Sequence, residues 1–292
     1  MRVTPLSDVR HRPRRVAVGE FDGVHLGHRA VIAGNDTVLT FEPHPAMVVK
    51  PAFAPKLLTS LELKIELVAE LGVEELVVVP FDRRFAQQEA SEFVDRVLVQ
   101  ALGATHVSVG ANFGFGHAAR GNAAQLAADR RFETRVVELV ELDGVPVSST
   151  RIRALIAEGE VEAAARLLGA AFRMRGQVVH GDRRGRGLGF PTANMVPDPR
   201  LALPAHGVYA CRVNERAAAV NVGVRPTFGT NLDPLVEAFV LDYEGDLYGQ
   251  QLTVEFVARL RGELRFESVA ELVGQMRQDV ERTRELLASG IE

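Results

Sequence analysis

Two histidines three residues apart close an apolar run near the start of this chain, where Val16–His28 reads VAVGEFDGVHLGH. An apolar segment that breaks into a glycine-punctuated turn reads as a buried strand, a tight loop and the first turn of a helix. Free backbone N–H groups and the positive end of the helix dipole converge at such a turn, which suits a polyanion. His25 and His28 add two donors on one side of that first turn, and Gly19, Phe21 and Gly23 in the loop before them are expected to bind nucleotide phosphates. The chemistry is the binding of a phosphate chain. Zinc is the alternative, but it normally takes three or four ligands. Only His44 offers a third imidazole, and the single cysteine, Cys211, lies far along the chain.

A second anion-binding pattern stands at Ser148-Ser149-Thr150-Arg151-Ile152-Arg153. Ser149 or Ser148 serves as a helix N-cap, and the hydroxyls with Arg151 and Arg153 surround a helix N-terminus. Alone, this is an ordinary capped helix. Paired with the upstream loop, it offers a second helix start on the same sheet, enough for the triphosphate of a nucleotide.

Further on, HGDRRGRGLGFPTAN (His180–Asn194) joins a Gly/Arg-rich loop to Pro-Thr-Ala-Asn. Thr192 and Asn194, at i and i+2, point the same way if the segment is extended. A hydroxyl and an amide oxygen are hard ligands suited to Mg²⁺, which takes the rest of its shell from water and phosphate. Glu237 is a carboxylate among apolar neighbours in VEAFVLD and, taken alone, an outward residue of an alternating strand.

These residues need elements to hold them. Val16–Val18, Thr37–Phe41, Leu76–Val79, His106–Val109 and Arg135–Leu139 read as strands, with helical patterns between. Thr59-Ser60-Leu61-Glu62 reads as a capping box opening one helix, which Gly72 closes; Ser91 opens another, ended by Gly103. Such alternation predicts a parallel sheet covered by helices, with ligands at the carboxyl ends of the strands. VAVGEFDGVHLGH, FEPHP (Phe41–Pro45) and VGANFGFG (Val109–Gly116) all sit at such ends. After helices at Thr150–Glu158 and Val161–Leu168, strands come without intervening helices: Phe172–Val179, Val208–Val213, Ala217–Val222, Val236–Leu241 and Leu252–Ala258. That pattern predicts an antiparallel barrel. A final helix is capped by Ser268, and its stripe Val269, Leu272, Val273, Met276 and Val280 is expected to pack on the core.

Composition excludes several classes. The chain has 292 residues, 47% of them hydrophobic and 25% charged, and a formal net charge of −4. That is a soluble, two-domain composition, not the basic footprint of a nucleic-acid binder. One cysteine fits a reducing cytosol. No apolar run approaches a membrane span, and the N-terminus lacks the apolar segment of a secretion signal. Lysine occurs only at positions 50, 56 and 64, and none follows a Walker A glycine pattern. Phosphoryl chemistry in the second half must therefore rest on arginine, backbone amides, helix dipoles or a metal.

G-x-F-D-G-V-H-x-G-H with a later S-S-T-x-I-R resembles the nucleotidyltransferase superfamily, specifically the FMN adenylyltransferase module of prokaryotic FAD synthetases. FEPHP, VGANFGFG and LLGAAF add to the likeness. The resemblance implies direct attack of the FMN phosphate on the α-phosphorus of ATP. His25 and His28 would neutralise the transition state, while Ser148, Ser149, Thr150 and Arg153 hold the departing pyrophosphate. Pro43, Asn112 and Phe113 would lie on the flavin side. The second half resembles the riboflavin kinase module of the same enzymes: MgATP under a Gly-rich loop containing Gly181, Arg186 and Gly187, Thr192 and Asn194 on magnesium and phosphate, and Glu237 as the base for the ribityl hydroxyl. The implied fold is an α/β, Rossmann-like nucleotidyltransferase domain over residues 1–170, then an antiparallel six-stranded barrel with a terminal helix over residues 171–292. The implied partners are small molecules (riboflavin, FMN and ATP, with Mg²⁺ as cofactor and FMN and FAD as products), in the cytoplasm, with no nucleic acid or membrane. A homo-oligomer is compatible with the sequence.

The chain departs from the family pattern in places. Asn112 stands for a common Asp, Gly114 for an Arg, Ala170 for an Arg, and Phe239 for a frequent His. Only Arg29–Thr40 separates His28 from Phe41, which limits the helix there to about Arg29–Ala33. Two readings follow: both activities, or riboflavin kinase alone beside a weakened adenylyltransferase.

Overall fold

The protein is described here by a computed structural model covering residues 1–179, 190–225 and 233–288. Two compact units divide the chain at Met1–Ser149 and Thr150–Glu292.

The first unit is built on a six-stranded sheet: β1 (Arg2–Pro5), β2 (Arg14–Val18), β3 (Thr37–Glu42), β4 (Glu75–Pro80), β5 (Ala104–Gly110) and β6 (Glu133–Val137). The strand order is β1-β4-β3-β2-β5-β6, and every neighbouring pair is parallel. β2 and β3 are buried nearly throughout because both faces of a parallel sheet are covered. Val16, Val38, Leu39, Val77 and Val107 are fully buried. The expected strands are all present, and β1 is an addition at the sheet edge. Its Thr4 donates to Glu75 Oε1 of β4 at 2.9 Å, and the same carboxylate accepts from a buried cation, Arg14, at 3.1 and 3.2 Å.

The short crossover after β2 forms a true helix, α1 (Leu26–Ile32). It starts three residues earlier than the sequence suggests, because His25 occupies the N-cap. Helix α2 (Leu61–Ala69) is capped by Ser60, not by Thr59. The next helix, α3 (Phe93–Ala101), carries π-type hydrogen bonding and follows a turn capped by Glu89, so Ser91 does not open it.

The second unit begins with α4 (Ser149–Glu158, whose first residue closes the first unit) and α5 (Val161–Leu168). A closed antiparallel barrel follows: β7 (Phe172–Val179), β8 (Ala193–Val196), β9 (Gly207–Val213), β10 (Arg216–Arg225), β11 (Asp233–Val240) and β12 (Gln251–Arg261). Around the wall the order is β7-β8-β11-β10-β9-β12, closing back on β7. Met195, Val220, Val236, Ala238 and Val254 fill the interior by strict alternation. β8 is the strand the hydrophobic pattern alone omits.

The terminal helix α6 (Val269–Ala288) corrects an expectation. Val269 is 62% exposed, and Leu272, Val273, Met276 and Val280 are only half-buried. Its buried residues are Asp279 and Thr283. Asp279 takes a two-pronged contact from Arg261 of β12, at 2.8 to 3.1 Å, so a charge pair helps to dock the helix.

Candidate active sites

In the first unit, the carboxyl ends of adjacent strands β3, β2 and β5 carry FEPHP, GEFDGVHLGH and VGANFGFG, the three motifs singled out from the sequence. The loop after β2 is held in an unusual path. Phe21 and Val24 have φ of +52° and +42°, and Gly23 has +88°. Left-handed backbone at a non-glycine residue costs of order 1–3 kcal/mol. Burying an aromatic ring returns a similar ~1.5–3 kcal/mol; Phe21 is 1% exposed and meets the His28 ring edge-to-face at 5.4 Å. Gly19 makes room for it, since a Cβ there would lie 3.0 Å from the Phe21 ring.

His25 and His28 stand together as expected. Their rings stack with centroids 3.5 Å apart and planes 18° from parallel. His25 Nδ1 accepts the backbone N–H of His28 at 3.2 Å, which places the His25 proton on Nε2. One ring nitrogen of His25 therefore caps the helix. A seven-residue helix is a modest dipole, so anion binding draws on imidazoles and loop amides more than on α1 itself.

Asp22 organises this loop, and the sequence reading did not single it out. It is 2% exposed, and its carboxylate accepts from Leu58 N at 2.9 and 3.0 Å, Thr59 N at 3.0 Å and Thr59 Oγ1 at 3.2 Å. The Thr59 hydroxyl also accepts from Gly23 N at 3.2 Å. That explains why Ser60 and not Thr59 caps α2. Ser149 is tied in as well: it is not an N-cap but the first residue of α4, and its Oγ donates to the Asp22 carbonyl at 3.0 Å. Ser148 is half-buried just before it; Thr150, exposed, and Arg153, half-buried, follow on the helix. A signal for Asp22 was present, an acidic residue inside an otherwise apolar F-D-G-V run.

Pro43 is exposed at the end of β3, and Asn112 is exposed just after β5. Phe113 is half-buried and stacks on Phe115 at 5.6 Å. From there Phe115–Phe93 and Phe93–Phe41 contacts at 5.5 and 6.4 Å run beneath the ends of both strands. His44 caps a short turn, its Nδ1 accepting from Ala46 N at 3.1 Å.

In the second unit, the barrel ladder sets Asn194 of β8 opposite Glu237 of β11, and Glu237 opposite Asn221 of β10. Partners across a ladder share a face, here the outer one, because Val236 and Ala238 point inward. Asn194 is 7% exposed and Glu237 half-buried. Asn221 Nδ2 donates to Glu237 Oε2 at 3.3 Å, steering one carboxylate oxygen. Thr192 is half-buried two residues before Asn194, and Phe190 meets Phe239 at 5.2 Å on the same wall. Asn221 is a residue the motif reading overlooked, although it lies within the expected strand Ala217–Val222, now part of β10. Gly181, Arg186 and Gly187 lie outside the described residues.

As to metal, no group of three or more His, Cys, Asp or Glu side chains that could hold an ion occurs among the described residues. An alcohol and an amide oxygen, Thr192 and Asn194, fit magnesium in donor type but bring no charge. Such an ion would take most of its shell from water and phosphate, which is its usual habit.

Comparison with known proteins covers both halves. The family described as FAD synthetase matches residues 8–151, and the family described as riboflavin kinase matches residues 168–287. The bifunctional riboflavin kinase/FMN adenylyltransferase of Listeria monocytogenes is 39% identical over 290 residues, covering 94% of this chain and 92% of its own. The enzyme of the same name from Pseudomonas fluorescens is 37% identical, covering 95% and 94%. A crystal structure described as a macrolide-efflux protein from Streptococcus pneumoniae superposes with a TM-score of 0.87 at 32% identity, covering 97% and 99%. The family matches and the curated relatives, rather than that description, decide the assignment. No described helix is long and apolar enough to cross a membrane. This chain belongs to the family of bifunctional riboflavin kinase/FMN adenylyltransferases.

Proposed function

We propose that this chain makes FAD from riboflavin in two steps, a riboflavin kinase step in the barrel unit and an FMN adenylyltransferase step in the parallel-sheet unit, with residues 1–170 and 171–292 as the working domains. The observation that carries this reading is that each unit has a polar site of its own, one around His25 and His28 and one around Asn194 and Glu237.

In the kinase step Glu237 accepts the proton of the riboflavin 5′-hydroxyl as the oxygen attacks the γ-phosphorus of ATP. FMN and ADP result. Asn221 aims the base. Thr192 and Asn194 would hold magnesium, which when bound supplies charge neutralisation to the phosphates. Gly181, Arg186 and Gly187 would bind the ATP phosphates. In the adenylyl step the FMN phosphate attacks the α-phosphorus of a second ATP, and pyrophosphate leaves. His25 Nε2–H and His28 stabilise the charge on the pentacovalent phosphorus. Gly19, Phe21 and Gly23 bind the ATP phosphates in the loop beneath it. Ser148, Ser149, Thr150 and Arg153 hold the leaving pyrophosphate, while Pro43, Asn112 and Phe113 bound the flavin. Catalysis is positioning plus electrostatic stabilisation throughout. The enzyme works in the cytoplasm on small molecules alone.

The test is incubation of the pure protein with riboflavin, ATP and Mg²⁺ and chromatography of the flavins. Accumulating FAD supports both halves; a reaction that stops at FMN would leave the kinase alone. Repeating the kinase assay with Thr192→Ala should raise the magnesium concentration needed for half-maximal rate. An unchanged titration removes Thr192 from the metal site.

A further inference from the structure

Glu20 is the residue of the GEFDG loop whose side chain nothing above employs. Its backbone carbonyl accepts from Thr40 Oγ1 at 3.0 Å, and Thr40 Oγ1 lies 3.4 Å from Lys64 Nζ. Glu20 as a whole is half-buried, while its carboxyl Oε2 is closed off from solvent and makes no hydrogen bond among the described residues. Three charged groups face this carboxyl: Lys64 from α2, Asp22 from the same loop and Glu42 from the end of β3. One ammonium thus stands against three carboxylates, and Asp22 already spends its lone pairs on Leu58 and Thr59. An ionised carboxylate without donors is costly to bury, whereas a protonated one is not. Burial, chiefly, with help from Asp22 and Glu42 and against Lys64, pushes the Glu20 carboxyl up to about 8.

The carboxyl also stands at the carboxyl ends of β2 and β3, on the loop that leads to His25 and His28. An anionic side chain there would repel the phosphates that the loop is built to take. A neutral one can donate to them.

We propose that Glu20 is a further binding residue for the adenylyl step, acting as a carboxylic acid that donates its proton in a hydrogen bond to a substrate phosphate oxygen. No proton is transferred; the O–H stays on Glu20 and the phosphate oxygen accepts. The inference rests on the placement of the adenylyl site at this loop. The phosphate is either that of FMN or one from the ATP chain, and the two are separable.

The experiment is a pH profile of FAD formation from supplied FMN between pH 6.5 and 9.5, with FMN and ATP varied in turn. The wild-type KM for one of the two substrates should rise roughly tenfold per pH unit once Glu20 ionises, with kcat nearly constant. The substrate whose KM rises names the phosphate. Glu20→Gln, which keeps a donor at every pH, should remove this alkaline limb. Glu42→Gln, which takes away a neighbouring negative charge, should move it to lower pH, and this second variant does not depend on the folding of the first. Riboflavin phosphorylation by the same preparations reports that each chain is intact.

Thermal melting gives a readout independent of activity. A carboxyl raised in the folded state binds a proton that the unfolded chain releases, so this group's contribution to stability falls between about pH 4.5 and 8. That loss should be smaller in Glu20→Gln. A limb that persists in Glu20→Gln, or that ignores Glu42→Gln, overturns the proposal. So does a Glu20→Gln chain that makes FMN but no FAD at neutral pH, because the site would then require the charge itself. If FAD formation also survives His28→Ala unchanged, the fault lies with the placement of the site rather than with Glu20.

Discussion

The two sites of this chain are built in opposite ways. The barrel site stands on regular strands: Asn194, Glu237 and Asn221 form one row across three strands, each side chain aimed by the pleat and the ladder register. The loop site has no such lattice. Its path runs through residues of positive φ and is held from outside, by Asp22 on Leu58 and Thr59 and by Ser149 on the Asp22 carbonyl. A site on strands takes its precision from repetition, and a site on a loop must be tied down by residues distant in sequence. Damage should therefore spread differently: removal of a group in the barrel should cost that group's chemistry alone, whereas removal of a tie in the loop should misplace several groups at once.

The largest effect is expected at Glu237. Glu237→Gln keeps the shape and removes the base, and general-base catalysis contributes up to about 10⁴-fold. FMN formation should fall by that order while conversion of supplied FMN to FAD continues. If both rates fell together, the two units would not be chemically separate, and the contrast between them would break. His28→Ala is the mirror experiment. FAD formation should drop roughly 10²–10³-fold, the usual cost of one transition-state donor, with riboflavin phosphorylation intact. A wild-type rate of FAD formation would take that imidazole out of the reaction.

Most of the architecture was legible in the sequence, and the reason is periodicity. Runs such as Val16–Val18 and Thr37–Phe41 had to be buried strands, and the absence of helical patterns between Phe172 and Ala258 pointed to a barrel. Strand alternation gave the outward setting of Glu237, while the roles of Glu237 and of the Thr192/Asn194 pair came from the resemblance to the riboflavin kinase module. Asn221 escaped because, although its strand Ala217–Val222 was expected, an amide there belongs to none of the motifs, and only the ladder sets it beside Glu237. Thr59 escaped for a different reason. The string Thr-Ser-Leu-Glu satisfies the local rule for a helix cap, yet a long-range hydrogen bond to Asp22 recruits Thr59 and leaves the cap to Ser60. The stripe on α6 misled as well, since apolar spacing cannot tell a half-exposed face from a buried one. Local pattern fails where a tertiary tie outbids it.

Thr59→Val tests the tie directly. It leaves the Thr59 backbone N–H on Asp22 but removes the hydroxyl that serves both Asp22 and Gly23. Losing two buried hydrogen bonds of about 1 kcal/mol each, partly relaxed by the loop, should slow FAD formation about tenfold. Because the hydroxyl touches the loop and not the reacting atoms, the loss should appear mainly in kcat, and Thr59→Ser should restore most of it. Failure of serine to rescue would mean that valine disturbs packing rather than the tie.

The smallest effect belongs to the corresponding change in the barrel. Asn221 Nδ2 reaches Glu237 Oε2 at 3.3 Å, near the long end for a hydrogen bond, so its contribution should be under about 1 kcal/mol. Asn221→Ala should slow riboflavin phosphorylation no more than about fivefold, because β11 already aims Glu237 through its ladder to β8 and β10. Asn221→Asp is the sharper variant. It sets a second carboxylate directly across the ladder from Glu237, and like charges at that distance raise the proton affinity of the pair. The acid limb of the kinase rate should then move to higher pH, while the alanine variant leaves it in place. A drop of a hundredfold with alanine would mean that Asn221 holds the base as firmly as Thr59 holds the loop, and the distinction between a site made by register and a site made by ties would not survive.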